Sequence, residues 1–182
     1  MSADAARAAG AAGPLSGADG PPAGPPARPR CYVASPLGFT EAGRHWYREV
    51  YLPALAEVVE PVDPWALTSP AEVQTALREG REAELCREIG ARNTRALRTC
   101  TLLVALLDGQ ELDAGTVAEL GYGAALGLTC FGLRTDLRQT GEAGAHCNLQ
   151  VEAFVLESGG EILDSVPGLV AAIERVSHAA GD

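Results

Sequence analysis

The apolar residues of this chain come in short dense runs separated by longer amphipathic stretches. Residues 101–107 (TLLVALL) form the clearest run, and it ends at Asp108-Gly109. A run of that length bounded by a turn predicts a strand buried on both faces. Residues 31–35 (CYVAS), closed by Pro36, and residues 128–133 (LTCFGL) predict two more. Residues 58–62 (VVEPV) and 160–164 (GEILD) predict weaker strands. Between these runs the period becomes helical. Residues 41–58 read as an amphipathic helix that Pro53 kinks or divides. Ser69-Pro70-Ala71-Glu72 is a capping box with proline at the first helical position; the pattern then continues, broken at Gly80, to about Arg98. Residues 113–127 (DAGTVAELGYGAALG) predict a helix rich in small residues, and a last helix begins at Ser165.

Strands alternating with helices predict an α/β domain whose parallel sheet is covered on both faces. Such sheets bind ligands beyond the carboxyl ends of their strands. That rule selects three loops: residues 35–40, 63–67 and 108–116.

Composition sharpens the picture at both ends. Residues 1–30 are low-complexity Ala/Gly/Pro sequence, too poor in apolar side chains to offset the entropy of ordering. They read as a disordered tail, leaving residues 31–182 as one domain. Hydrophobic residues make up 47% of the chain and the formal net charge is −10, which argues against nucleic acid or an anionic membrane as a partner. All 14 basic residues are arginine, so Schiff-base and P-loop lysine chemistry is excluded. Five cysteines without a Cys-x-x-Cys pair, and three histidines apart from them, give no zinc pattern. Most of the cysteines lie in apolar stretches and read as buried free thiols. No signal-peptide core and no membrane-length apolar run is visible, and a reducing cytoplasm is the expected location.

The loop and helix after the third strand carry the candidate chemistry. Thr116-x-x-Glu119 has capping-box spacing, so Glu119 reads as a helix cap. It reads equally as a carboxylate held for an electron-poor carbon such as an anomeric centre losing its base. Asp108 and Asp113 are turn residues when taken singly; with Glu119 they put three carboxylates in twelve residues at the ligand-binding edge. Gly115 and Gly121 allow close backbone approach, and Gly123 and Gly127 suggest tight helix–sheet packing. Phe39 and Trp65, in the other two loops, offer stacking faces for a flat ligand.

Together CYVASPLGF, VDPW, GARN, LLDGQELDAGTVAELGYGAALG and LRTDLRQTGEAGAHCNLQVEAF resemble the nucleoside 2-deoxyribosyltransferase family over residues 31–160. The Asp113-x-Gly115-Thr116-x-x-Glu119-x-Gly121 block is the most specific part. The resemblance implies a flavodoxin-like three-layer sandwich around a five-stranded parallel sheet. It implies transfer of 2-deoxyribose between nucleobases, with deoxyribonucleosides and free purine or pyrimidine bases as partners, and no metal or organic cofactor. Glu119 would be the nucleophile, Asp113 would bind the sugar hydroxyls and Tyr32 would orient Glu119. Ser35, Phe39, Trp65, Asn93, Asp108 and Gly115 would line the substrate site. Asn148 would reach into a neighbouring subunit's site, making the protein a homo-oligomer. The family's best-known pattern has, in the segment of Asn93, an aspartate proposed to protonate the base. Asn93 cannot do this, which leaves Asp63, Asp108 or water as proton source. Two alternatives keep the fold: N-glycoside hydrolysis of a nucleoside or nucleoside 5′-monophosphate, and a non-catalytic nucleotide-binding module.

Overall fold

The computed structural model describes residues 28–179. Five parallel strands form one sheet: β1 (Arg30–Ala34), β2 (Glu60–Val62), β3 (Leu102–Leu106), β4 (Thr129–Leu133) and β5 (Ile162–Leu163). Their order is β2-β1-β3-β4-β5, the flavodoxin-like arrangement. The chain reverses its direction of winding between β1 and β3, so the crevice there is the expected ligand site.

The three long strands are apolar throughout because both faces are covered. On one face Cys31, Val33, Val104 and Phe131 pack against Tyr47, Tyr51 and Leu55 and against Leu169 and Ile173 of α7 (Val166–Ala179). On the other face Tyr32, Ala34, Leu103 and Cys130 pack beneath α4 (Glu82–Leu97), α5 (Ala114–Ala125) and α6 (Leu149–Glu157). The two-residue strand period thus directs Tyr32 toward α5 while its neighbours Cys31 and Val33 face away.

Several boundaries differ from the sequence expectation. The described domain starts before residue 31: Arg30 opens β1, Pro29 O accepts from Glu60 N at 2.9 Å, and Arg28 donates to Ala56 O. Residues 1–27 of the expected tail lie outside the described residues. The expected long helix over residues 41–58 is three pieces: α1 (Glu41–Trp46), a π-helical turn (Tyr47–Tyr51) and α2 (Leu52–Ala56). Pro53 has no N–H to donate and crowds the carbonyl of the preceding turn, and the wider π turn directly before it relieves both defects. The next helix divides as expected: α3 (Pro70–Glu79) ends at Gly80, whose φ of 65° favours glycine, and α4 follows.

Two glycines of the predicted 113–127 helix behave differently. A side chain at Gly123 would press on Leu103 at 2.9 Å, so helix–sheet packing does require glycine there. Gly127 has open space around it and a φ of 83°: it serves the turn after α5, not the packing expected of it. The segment LQVEAFV is most of α6. Its Val151 and Val155 are buried within the same chain, while Leu149 and Leu156 are exposed.

Candidate active site

A cavity of about 310 Å³ lies at the carboxyl edge of the sheet beside the β1–β3 crevice. All three selected loops reach it: Ser35 and Phe39 from the first, Pro64 and Trp65 from the second, and Asp113, Gly115 and Thr116 from the third. Glu119 from α5 and Ile89 and Asn93 from α4 complete the lining.

At its inner end Glu119 is held by two donors. Tyr32 Oη donates to Oε1 at 2.6 Å, and Asn93 Nδ2 donates to the same oxygen at 3.4 Å. Burial pushes the Glu119 carboxyl above the ordinary glutamate value; the two hydrogen bonds pull it down and the nearby Asp113 charge pushes it up further. Tyr32 is fully buried, and its phenol is pushed up by that burial and by Glu119, so it remains a donor. Asn93 Oδ1 is buried with no partner.

Glu119 is not a helix cap. The N-cap of α5 is Asp113, whose Oδ1 accepts from Thr116 N at 2.8 Å and Thr116 Oγ1 at 2.9 Å. This starts the helix three residues before the expected register, moves Thr116 to the third helical position and moves Glu119 into the second turn, facing the cavity. The expected Thr116/Glu119 capping box does not form.

The outer end is aromatic. Phe39 and Trp65 meet edge to face at 4.8 Å. Trp65 is fixed from several sides: Nε1 donates to Ser35 O at 3.1 Å, its backbone N–H donates to Asp63 Oδ1 at 2.9 Å, and a side chain at Gly38 would overlap the indole. Asp63 Oδ1 also accepts from Tyr47 Oη at 2.9 Å. Phe39 is 72% exposed at the mouth.

Two expected site residues stand elsewhere. Asp108 does not line the cavity. Its oxygens accept from Thr135 N, Thr135 Oγ1 and Asp136 N at 2.6–2.9 Å, tying the loop after β3 to the loop after β4. Arg134 reinforces the tie by donating to Leu107 O and to Thr140 Oγ1. Asn148 is exposed and caps α6, accepting from Gln150 N at 3.0 Å. Ile89 lines the cavity from outside the selected loops, and Pro64 and Thr116 line it from within them without having been named as site residues. Ile89 and Asn93 are four apart on α4, so one helix face presents both. Among the described residues, no group of three or more His, Cys, Asp or Glu side chains is placed to hold a metal, and no helix is long and apolar enough to cross a membrane.

Sheet order, crevice and lining place the chain among α/β domains with a ligand cleft at the carboxyl edge of a parallel sheet. More narrowly, the chain belongs to the nucleoside 2-deoxyribosyltransferase family, whose model matches residues 31–160. Membership implies nucleosides and free bases as the substrate class. No curated protein matches the chain in sequence. Similar solved structures include a conserved protein from Enterococcus faecalis V583, 22% identical with a TM-score of 0.60, covering 82% of this chain and 99% of that one. A 2-desoxiribosyltransferase from Leishmania mexicana is 23% identical with a TM-score of 0.58, covering 80% and 97%. A 2-deoxyribosyltransferase from Bacillus psychrosaccharolyticus is 16% identical with a TM-score of 0.60, covering 78% and 90%. At these identities the likeness establishes the shared fold.

Proposed function

We propose that the protein transfers 2-deoxyribose between nucleobases through a covalent glycosyl-Glu119 intermediate. The observation that carries this is the Glu119 carboxylate, aimed into the cavity and held at 2.6 Å by the buried Tyr32 hydroxyl. A Glu119 oxygen attacks C1′ of a deoxynucleoside, the C1′–N bond breaks and its electron pair leaves with the base. A second base then attacks C1′ through a ring nitrogen, and the C1′–O pair returns to Glu119. The developing oxocarbenium charge sits beside an anion in a partly dry site, where the attraction is weakly screened. Asp113, beside Glu119 in the lining, would bind the sugar hydroxyls; Trp65 and Phe39 would stack on the base. Incubation with deoxyinosine and free adenine should yield deoxyadenosine and hypoxanthine. Free base without new nucleoside would instead mark a hydrolase, and neither product would mark a binding module.

Oligomerisation belongs to the same proposal. Asn148 is exposed, lies outside its own chain's cavity and stands at the end of a polar loop, which supports its use in a neighbouring site. Asn148→Ser keeps a capping side chain and should depress transfer. Mixing it with Glu119→Ala under subunit exchange should restore part of the activity. No restoration despite demonstrated exchange would confine Asn148 to its own chain.

A further inference from the structure

The cavity brings a nucleophile to C1′ but supplies the leaving base with no side-chain acid. Among the described residues, the carboxylic acids lining it are Glu119 and Asp113. Glu119 is occupied as the nucleophile. Asp113 is the α5 cap, with Oδ1 accepting from both Thr116 N and Thr116 Oγ1. Two other aspartates of the carboxyl-edge loops do not line the cavity: Asp63 is held by Tyr47 and Trp65, and Asp108 by Thr135 and Asp136. The side chain that lies against Glu119 from α4 is the carboxamide of Asn93, and an amide has no proton to give at any working pH.

We propose that the leaving base departs on its own acidity, and that Asn93 is the residue that makes the enzyme selective for deoxynucleosides of good leaving bases. This rests on the glycosyl-transfer reading above. In the first half-reaction the C1′–O bond to Glu119 forms, the C1′–N bond breaks, and the base leaves as its anion or with a proton already taken from solvent. Water, not the protein, is the proton source. In the return half-reaction the acceptor base has given its N–H proton to solvent before it attacks. The substrate class is therefore deoxynucleosides whose bases carry acidic ring N–H groups, such as 5-halogenated uracils; cytosine-like bases are the poorest donors.

Physical chemistry also says what would abolish the selectivity. An aspartate at position 93 would stand beside Glu119, with Asp113 and Tyr32 the other titratable groups of that end. Two carboxyls so close do not both ionise readily, so the pair would retain a proton. That proton would be available to the base.

Single-turnover release of the free base isolates the first half-reaction. For a series of 2′-deoxyuridines differing only at C5, the native rate should fall about three- to ten-fold per unit rise in the leaving base's pKa, as expected when no acid assists. Asn93→Asp should flatten that slope and speed the poorest leaving bases. Asp113→Asn, which retains a capping side chain but loses a charged contact to the sugar, should slow release of every base by the same factor and so leave the slope unchanged. A flat series for the native protein overturns the inference even if Asn93→Asp fails to fold, and so does a slope changed by Asp113→Asn. Absence of base release from every deoxynucleoside would instead remove the transfer reading itself.

Discussion

The N-termini of α3 and α5 carry the same Ser/Thr-x-x-Glu spacing and fold differently. At α3, Ser69 Oγ accepts from Glu72 N at 3.2 Å and Glu72 Oε2 accepts from Ser69 N at 2.8 Å, a closed reciprocal box. At α5 the chain is already helical at Thr116, and Glu119 points inward to Tyr32. The deciding residue lies three positions upstream of the Ser or Thr. Before Ser69 that residue is Ala66, which cannot cap; before Thr116 it is Asp113, which can, and aspartate caps better than threonine. One added cap frees a glutamate from structural work and delivers it to a cavity.

The largest effect expected from breaking this parallel is at the two glutamates. Glu119→Gln should lower base exchange by several orders of magnitude, whereas Glu72→Gln should leave exchange at the native level. Steady-state rates of the two variants decide this directly. Near-native turnover by Glu119→Gln would return Glu119 to a structural role.

Stability should respond in the opposite sense to activity. Burial raises the folded-state pKa of Glu119 above 4.5, its ordinary value. The folded protein then binds more protons than the unfolded chain between those two values, so this residue's contribution makes stability fall as pH rises through that window. Above it, ionised Glu119 opposes folding. Glu119→Gln should therefore melt at or above the native temperature at pH 7 and lack that part of the pH dependence. A marked loss of melting temperature would show that the carboxylate stabilises the fold.

Tyr32→Phe sharpens the same contrast with a smaller change in rate. Transfer should decline on the acid side with a midpoint above 4.5, because the nucleophile must be ionised. The Tyr32 hydrogen bond holds the Glu119 pKa down, so its removal should move the acid limb to higher pH and cost about ten- to a hundred-fold at neutral pH. An unmoved limb would mean that the 2.6 Å contact does not tune Glu119.

The smallest effects belong to the caps. Asp113→Ala and Ser69→Ala should each cost about 1 kcal/mol in denaturant unfolding. Asp113→Asn should recover the stability without recovering transfer; Ser69→Ala should leave transfer untouched.

What the sequence disclosed follows from how local each cause is. Strands buried on both faces are dense apolar runs, and all five were legible, with β2 and β5 shorter than their apolar stretches. The π turn was not, because Pro53 announces a defect without saying how the backbone absorbs it. Asp108 and Asp113 look alike in sequence. They part only because Asp108 meets Thr135 and Asp136, whereas Asp113 meets Thr116 three residues on. The inner cavity was legible from Glu119 and, through family resemblance, from Tyr32 and Asn93. Ile89 was not, since on a helix that also carries Leu85 and Leu97 an apolar residue reads as core and gives no signal that it faces a cavity.

The central claim is a bond between Glu119 and the sugar. A deoxynucleoside mixed with the protein and quenched in acid within a turnover, then digested for peptide mass spectrometry, tests it most directly. The account predicts one deoxyribosyl mass increment, on the peptide containing Glu119 and on Oε of that residue, lost when an acceptor base is added before the quench. Base exchange at full rate with the increment on another residue would contradict it.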